Sequence, residues 1–310
     1  MASSFKSTGV DADAFRALVE PHLPYLRAHC YRMLGSLAEA EDVVQQSMLR
    51  AWQGLPSFEG RAAFRTWLYR IATHACLDAL GPRPMRSPEE LDPCPASFRA
   101  LETPDATIGT KQSVALAFVT AVQRLPPLQR AILLLHEVVG MTATEVAELL
   151  DTSTGAVNSA LQRARATLAE KPARVENVRA IDDPEARALV TRYVRAWEAH
   201  DAKALVEMLR QDAVLTMPPA TLSFAGREAI AEFLGTFVPS LGELRIRIVE
   251  ASGGIGVAGW VRTEGDSAFR AYAIQVLELA GGVGEALSIA GIHAHLKPEL
   301  FARFGLAAVD

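Results

Sequence analysis

One stretch near the middle of the chain, TATEVAELLDTSTGAVNSALQRARATL at residues 142–168, sets two short helical patterns on either side of a polar turn. In the turn, Asp151 tolerates a left-handed backbone, and the neighbouring hydroxyl groups are suited to capping the second helix. The second pattern carries one apolar stripe at helical spacing, formed by Val157, Ala160, Leu161, Ala164 and Leu168. The stretch therefore predicts two packed helices joined by a tight turn.

The face of the second helix opposite this stripe carries amide, hydroxyl and guanidinium groups and no acidic residue before Glu170. Amide and guanidinium groups bind purine edges in the major groove, while hydroxyl groups and arginines hold phosphates. The candidate DNA-contacting residues are Ser153, Thr154, Asn158, Ser159, Gln162, Arg163 and Arg165. The alternative is a helical hairpin whose polar face only meets water, because amphipathic helix pairs are common.

The pattern along the 310 residues divides the chain into several parts. Residues 11–80 have helical periodicity and predict a first all-α domain. Residues 81–107 are rich in proline and acidic side chains and predict an exposed linker. Residues 108–171 predict a second all-α domain, which contains the helix-turn-helix.

The last part, residues 184–306, begins with helical patterns and then changes to alternation. ELRIRIVEA, GVAGWVRTE, AFRAYAIQVLEL and ALSIAGIHAHL read as four strands. We therefore expect a multidomain fold, in which two all-α domains precede a C-terminal α+β domain with an antiparallel sheet.

Bulk properties exclude several classes of protein. A formal net charge of −5 argues against a general polycation. Cys30, Cys76 and Cys94 lie far apart without a C-x-x-C spacing, so we expect thiols rather than a disulfide framework or a zinc site. The first residues lack the build of a signal peptide, and no apolar run is long enough for a membrane span. We expect a cytoplasmic protein with no cofactor and no membrane partner.

Two helical motifs carry a family resemblance. LPPLQRAILLLHEVVGM followed by the helix-turn-helix resembles region four of sigma-70-type RNA polymerase sigma factors. AEAEDVVQQSMLRAW and FEGRAAFRTWLYRIATHACLDAL resemble region two of the extracytoplasmic-function group. The two motifs occur in that order, cover about residues 11–170, and are followed by a tail that resembles the SnoaL-like α+β cone domain. The resemblance implies a promoter-specificity subunit with no active site of its own.

The resemblance also implies roles for individual residues. One set would dock on the clamp of the largest subunit of core polymerase: Asp42, Gln45, Gln46 and Arg50. A second set would meet the upstream promoter strand near the minus-ten element: Arg61, Phe64, Arg65, Trp67, Arg70 and His74. The recognition helix at residues 154–168 would read the minus-thirty-five element. Trp67 also shares a helical stripe with Leu68 and Ile71, so a place in the core stays open. His74 stands where the family commonly has Asn.

The third domain leaves two roles open. Cone-shaped domains of the SnoaL type enclose an apolar cavity, whose candidate lining residues are Trp197, Met217, Trp260 and Tyr272. An enzyme would need an acid or base inside that cavity, and the candidates are Asp201, Asp212, Arg262, Tyr272, His293 and His295. The two histidines alternate along one strand, but the sequence offers no third metal ligand, so we expect no metal.

Fusion to the helical domains favours regulation over catalysis. A tethered domain has a high effective concentration toward its neighbours, so we expect the tail to contact the sigma domains and modulate their activity. One alternative is a stand-alone DNA-binding regulator, although such a protein has no need of the region-two motif. The other alternative is an enzyme carried by the cone domain, which a buried carboxylate with a raised pKa would favour.

Overall fold

The computed structural model describes residues 11–58, 63–81, 91–98, 116–170, 179–218, 220, 222–281 and 286–310. These residues belong to two compact units. The first unit contains the helices of residues 11–81 together with residues 122–170. The second unit contains residues 91–98, 116–121 and the C-terminal part from residue 179 onward. Within the described residues, no helix combines the length and apolarity needed to cross a bilayer.

The first unit opens with four helices: α1 (Ala12–Val19), α2 (Leu23–Leu34), α3 (Leu37–Gly54) and α4 (Phe64–Leu80). Gly35 ends α2 with a φ of 72°, a left-handed conformation that costs glycine little. Ser36 then caps α3 by accepting a hydrogen bond from the backbone N–H of Glu39. The apolar stripes of these helices pack together, which confirms the helical prediction for this part of the chain.

The helices of the region-four motif follow: α5 (Leu116–Gln123), α6 (Pro127–Leu133), α7 (Ala143–Leu149) and α8 (Thr154–Glu170), with a π-helical turn at Leu134–Val138 after α6. The buried stripe of α8 consists of Val157, Ala160, Leu161 and Ala164, as the spacing predicts. Leu168 is only half-buried, because it lies near the end of the helix.

A buried arginine joins the two helical groups inside the first unit. Arg130 on α6 donates to the carbonyls of Leu125 and Met33, and its guanidinium also bonds Gln123. The Gln123 side chain donates in turn to the Arg32 carbonyl at 2.9 Å. Arg32 and Met33 lie in the last turn of α2, where carbonyls lack partners within the helix. Residues of α5 and α6 therefore cap the C-terminus of α2.

The second unit is an α+β domain, which confirms the predicted fold class. Its elements are α9 (Pro184–Glu198), α10 (Ala202–Glu207), β1 (Leu209–Thr216), β2 (Ser223–Ala225), α11 (Arg227–Phe237), β3 (Glu243–Ala251), β4 (Gly254–Arg262), β5 (Arg270–Ala280), β6 (Ser288–His295) and α12 (Leu300–Arg303). The sheet has the order β2-β1-β6-β5-β4-β3. The apolar faces of α9 and α11 pack with inward-facing strand residues into one core.

The sheet departs from the sequence prediction in two respects. The four predicted strands are β3 to β6, but β1 and β2 add to them. The pair β1–β6 is parallel, so the sheet is mixed rather than wholly antiparallel. Asp212 lies within β1 and pairs with Arg210.

The prediction of an exposed linker over residues 81–107 is wrong for residues 91–98. Leu91 is fully buried, and Cys94 and Phe98 are 1% and 3% exposed. The backbone N–H of Ser252 donates to the Cys94 carbonyl at 2.6 Å, in the turn between β3 and β4. Proline and acidic residues are typical of linkers, but here they belong to a segment that docks on the C-terminal domain. The other residues of the predicted linker, apart from Gly81, lie outside the described residues.

Candidate nucleic-acid interface

Local hydrogen bonds fix the helix-turn-helix of α7 and α8. Thr142 and Glu145 form a reciprocal capping box, in which the Glu145 N–H donates to Thr142 Oγ1 at 3.2 Å and the Thr142 N–H donates to Glu145 Oε2 at 2.8 Å. Asp151 has a φ of 50°, so the left-handed backbone expected from the sequence is present. Ser153 Oγ accepts from the N–H of Ala156 and satisfies one free donor at the start of α8. These contacts orient α8 independently of any ligand.

The predicted recognition face of α8 points away from the core. Asn158, Ser159, Gln162 and Arg163 are exposed, while the residues on the opposite face of the helix are buried. Ser153 and Thr154 are also exposed, at the end of the helix where backbone N–H groups are available to a phosphate. The face can therefore enter a groove of DNA without unfolding any element.

Arg165 has a partner inside the domain. Its Nε donates to Glu137 Oε1 at 3.1 Å, and its Nη2 bonds the same oxygen. The Glu137 side chain is only 9% exposed, so the pair ties α8 to the π-helical turn after α6. The structure thus places Arg165 beside the recognition face but engages it in positioning α8.

An aromatic cluster covers the start of α4. The ring centroids of Phe58 and Trp67 are 5.0 Å apart, and those of Phe64 and Trp67 are 5.5 Å apart. All three side chains are half-buried. Trp67 also packs on Gly54, where an added Cβ would lie 3.3 Å from the indole. Trp67 is therefore neither fully buried in the core nor fully exposed; it is part of an aromatic surface.

Two of the predicted minus-ten arginines contact the region-four helices. Arg70 Nη2 donates to both carboxylate oxygens of Asp151 at 2.9 and 2.8 Å. Arg65 donates to the Val139 carbonyl at 3.1 Å. The ring of His74 lies 2.8 Å from the Arg70 carbonyl through Nδ1, so it hydrogen-bonds its own helix. Arg61 lies outside the described residues.

The candidate polymerase-docking residues share one face of α3. Asp42, Gln45 and Gln46 are exposed. Leu49, which follows them toward the C-terminal end of α3, is 64% exposed. Arg50 is exposed on the neighbouring side and lies 3.3 Å from Asp78 of α4. Leu49 thus lies on the exposed side of α3 beside these candidate residues.

The C-terminal domain encloses a narrow apolar cavity of about 40 Å³. Trp197, Met217 and Tyr272 line it, together with Phe233 and Phe237 from α11. The fourth predicted lining residue, Trp260, is wrongly assigned. Its side chain lies on the opposite face of the sheet, where it packs edge-to-face with Phe301 and donates from Nε1 to the Ala307 carbonyl at 2.9 Å.

Most of the candidate acids and bases lie away from this cavity. Asp201 caps α10, Asp212 pairs with Arg210, and Arg262 pairs with Glu243. Tyr272 lines the cavity, and burial raises the pKa of its hydroxyl. Among the described lining residues, none carries a carboxylate, an imidazole or an amine. The buried carboxylate that would favour an enzyme is therefore not among them.

The two histidines of β6 lie on the sheet face opposite the cavity. His293 Nδ1 is 2.9 Å from Thr216 Oγ1, and His293 Nε2 is 3.2 Å from Glu278 Oε1. His295 is fully buried. Burial lowers the pKa of His295 to about 3, so its ring stays neutral.

Three families match successive parts of the chain: sigma-70 region 2 over residues 18–81, sigma-70 region 4 over residues 115–168, and a SnoaL-like domain over residues 190–291. The extracytoplasmic-function sigma factor SigG of Mycobacterium tuberculosis is 39% identical over 94% of this chain and 84% of its own length. SigW of Bacillus subtilis is 30% identical over 51% of this chain and 88% of its own length.

The fold also resembles a solved structure along nearly its whole length. The crystal structure of the sigma factor SigJ of Mycobacterium tuberculosis matches with a TM-score of 0.63, over 96% of this chain and all of that one, at 22% identity. These relatives are sigma factors and not enzymes. The chain belongs to the extracytoplasmic-function group of RNA polymerase sigma factors and carries a C-terminal SnoaL-like domain.

Proposed function

We propose that this protein binds core RNA polymerase, recognises minus-ten and minus-thirty-five promoter elements and initiates transcription, while its C-terminal domain modulates that activity. The observation that carries the proposal is the recognition face of α8. Asn158, Ser159, Gln162 and Arg163 are exposed together on a helix whose other face is packed. Such a helix reads base edges in the major groove, which here would belong to the minus-thirty-five element.

The α4 surface supports the minus-ten assignment. Phe64, Trp67 and Phe58 offer ring faces on which unstacked bases can lie, and Arg65 and Arg70 supply charge for the phosphates. His74 offers an imidazole where the family commonly has an amide, so it would accept or donate one hydrogen bond to the strand. This combination suits a single strand better than a duplex, because stacking requires unpaired bases.

The α3 surface is the proposed contact with the clamp of the largest polymerase subunit. Asp42, Gln45 and Gln46 would form polar contacts around Leu49, whose side chain is mostly uncovered. A leucine that packs against a partner helix adds about 1.5 to 3 kcal/mol when it becomes fully buried. Because core polymerase acts on chromosomal DNA, we place the protein in the cytoplasm.

The contacts of Arg65 and Arg70 imply that the free protein must rearrange to act. The minus-ten and minus-thirty-five elements are about 25 base pairs apart, as their names indicate. At roughly 3.4 Å per base pair, this separation is about 85 Å. Arg70 and Asp151 cannot be hydrogen-bonded while α4 and α8 occupy sites that far apart. The described conformation is therefore a closed state of the two sigma regions, and promoter binding selects an open state.

Two alternatives remain distinguishable from this proposal. A stand-alone DNA-binding regulator would bind a duplex through α8 and would not bind core polymerase. An enzyme would act through the cavity, but Trp197, Met217 and Tyr272 surround it without a carboxylate or histidine among the described lining residues. We propose that the C-terminal domain contacts the sigma domains and regulates them, and that it catalyses no reaction.

The test combines polymerase binding with promoter selection. The full chain is mixed with core polymerase and a DNA library randomised over both elements, and bound fragments are sequenced. We expect co-elution with core and enrichment of two motifs at fixed spacing. Gln162→Ala should abolish enrichment at one or two base positions of the upstream motif, because a lost base contact costs about 1 to 3 kcal/mol of binding free energy. Thr144→Ala, on the exposed side of α7, is the control and should leave the motif unchanged. Binding of DNA without any binding of core would favour the stand-alone regulator.

A further inference from the structure

Small residues on three neighbouring strands make room for the cavity of the C-terminal domain. Gly259 of β4 pairs with Ala273 of β5, and both line the cavity. Ala294 of β6 pairs with Gln275 of β5, and both line it too. A Cβ at Gly259 would lie 3.9 Å from its nearest neighbours, which is ordinary van der Waals contact. The backbone therefore accepts a side chain at this position, and the glycine leaves space above the sheet that close packing would otherwise fill.

The wall of the cavity on the helix side is aromatic and borders solvent. Phe233 and Phe237 of α11 line the cavity, and their ring centroids are 4.9 Å apart. Phe224 stacks on Phe233 with the two centroids 4.5 Å apart. All three side chains are half-buried, whereas the floor of the cavity is a hydrogen-bonded sheet. The cavity can therefore widen on this side by rotation of side chains, without the loss of any strand pairing.

One buried donor in the cavity wall lacks an acceptor. Trp197 lines the cavity and is 6% exposed, and its Nε1 is excluded from water with no hydrogen-bond partner in the described part of the chain. The Tyr193 hydroxyl lies close to this N–H, but the two groups do not meet at hydrogen-bond geometry. That hydroxyl donates instead to Gln275 Oε1 at 2.6 Å. A buried N–H without an acceptor costs free energy, which an acceptor inside the cavity would recover.

The other polar groups of the cavity narrow the chemistry of a ligand. The Gln275 oxygen already accepts from Tyr193, so the group that Gln275 can offer is its amide N–H. Tyr272 adds a hydroxyl, and burial raises its pKa, so this group stays neutral. The rest of the lining that the structure describes is apolar and uncharged. An ion would lose its hydration there without a countercharge, so the cavity suits a neutral, mainly apolar molecule with an acceptor.

We propose that the C-terminal domain binds a small uncharged carbonyl compound, such as a ketone, an ester or a lactone. Its oxygen accepts a hydrogen bond from the Trp197 Nε1–H, and its hydrocarbon part lies on Gly259, Ala273 and Ala294. A carbonyl oxygen accepts without donating, which matches a site where Trp197 offers only a donor. The inference goes beyond the proposed function and does not depend on it, because it concerns a ligand of this domain alone.

The test compares two probes of the same shape in the full chain. Cyclopentanone carries a carbonyl oxygen, and methylenecyclopentane has a methylene group in its place, which accepts no hydrogen bond. Binding is followed by the indole N–H resonances of the four tryptophans in isotope-labelled protein, and Trp197→Phe identifies the resonance of Trp197. The Trp260 resonance is an internal reference, because its N–H already donates to the Ala307 carbonyl.

We expect cyclopentanone to move the Trp197 resonance downfield and to leave the Trp260 resonance in place. Cyclopentanone should bind about two- to tenfold more tightly than methylenecyclopentane, because one hydrogen bond distinguishes the two complexes. Trp197→Phe keeps an aromatic ring and removes the donor, so this preference should disappear. Cyclobutanecarboxylate, an anion of similar size, should not bind, since no cationic side chain is found among the lining residues that the structure describes.

A second pair of variants tests the place of binding. Gly259→Leu puts a side chain into the cavity and should abolish binding of both neutral probes. Gly235→Leu is the matched control on the exposed side of α11, where a Cβ meets nothing within 4 Å, and it should keep the wild-type affinity. A Trp260 resonance at its wild-type position shows that a variant is folded.

Two results with the wild-type chain would overturn the inference, whether or not Gly259→Leu folds. One is equal binding of the two neutral probes with an unmoved Trp197 resonance, which would mean that the indole N–H does not select the ligand. The other is the absence of binding by either probe. Neither result bears on transcription, so the proposed function is tested separately.

Discussion

Asp151 is the residue at which the turn of the helix-turn-helix meets the candidate minus-ten surface. Its left-handed backbone could be predicted from the sequence, because aspartate tolerates that conformation between two helices. Its ion pair with Arg70 could not, since the two residues are far apart in the sequence and belong to different motifs. The pair is exposed and stabilises the proposed closed state by only about 0 to 1 kcal/mol, so the two sigma regions can still separate.

Asparagine at position 151 should weaken the closed state and keep the turn intact. Asp151→Asn removes the charge that holds Arg70, while an asparagine still adopts the left-handed backbone. We expect binding of a minus-ten single strand to tighten about two- to fivefold, measured by fluorescence anisotropy at one salt concentration. Glu148→Gln removes an equal charge from the exposed side of α7 and is the control. An equal gain in both variants would attribute the effect to net charge and contradict the specific contact.

The buried histidine of β6 predicts a pH dependence of stability. Burial lowers the pKa of His295 to about 3, whereas an unfolded chain takes up this proton near pH 6.5. The unfolded state therefore binds more protons below pH 6.5, and the free energy of unfolding falls as the pH drops, by up to about 1.4 kcal/mol per pH unit. The stabilising contribution is fully present above pH 6.5 and is lost progressively toward pH 3.

Replacing this histidine should reduce that dependence. His295→Gln has no titrating group, so urea unfolding of the C-terminal domain between pH 7.5 and 5.5 should show a shallower loss of stability than the wild type. His29 in the first unit has a pKa that burial also lowers to about 3, and it is unaffected by the substitution. The transition of the first unit thus provides an internal reference. A wild-type slope in the His295→Gln domain would contradict the assignment.

At the scale of elements, helical periodicity predicts α1 to α4 and the helix-turn-helix, and alternation predicts the strands β3 to β6. The strand β1 is not one of the four strands that alternation predicts. Only its second half, AVLT, has a strand-like pattern, because LRQD at its start places charged and polar residues side by side. The docking of residues 91–98 was missed for a related reason. Prolines and acids predict a linker locally, and pairing with Ser252 depends on a sheet formed much later in the chain.

The candidate site could be predicted in part for the same physical reasons. The exposed face of α8 follows from its periodicity, so Asn158 and Gln162 were placed on it from the sequence. The pairing of Arg165 with Glu137 depends on how α8 packs on the turn after α6, which no local pattern encodes. Trp260 was misplaced because alternation predicts that strand residues share a face but does not say which face is the cavity.

Arg130 is the residue through which α5 and α6 cap α2, and its loss should weaken that contact. Arg130→Lys keeps the charge but replaces a forked donor with a single ammonium, so several buried carbonyls lose their partner. We expect the first unfolding transition to lose about 2 to 4 kcal/mol, measured by urea denaturation. Arg163→Lys on the exposed face of α8 should change it by less than about 0.5 kcal/mol. Equal stability of both variants would mean that Arg130 does not hold these helices together.

At the scale of the molecule, we propose a sigma factor whose DNA-reading surfaces are formed before it binds and whose two sigma regions must separate in order to act. The closed first unit engages Arg65 and Arg70, and the C-terminal domain holds residues 91–98. We propose that the contacts of Arg65 and Arg70 disfavour the separation that two promoter elements require. A chain that ends at Glu170 lacks the C-terminal domain but keeps both sigma regions.

The most direct measurement of the central claim is transcription with purified core polymerase from promoters selected by the full chain. We expect transcripts that depend on both elements, that are lost when the upstream motif is scrambled, and whose yield differs between the full chain and the chain ending at Glu170. Absence of transcripts with either chain, even from promoters whose minus-ten strands are pre-opened, would contradict the claim that this protein initiates transcription.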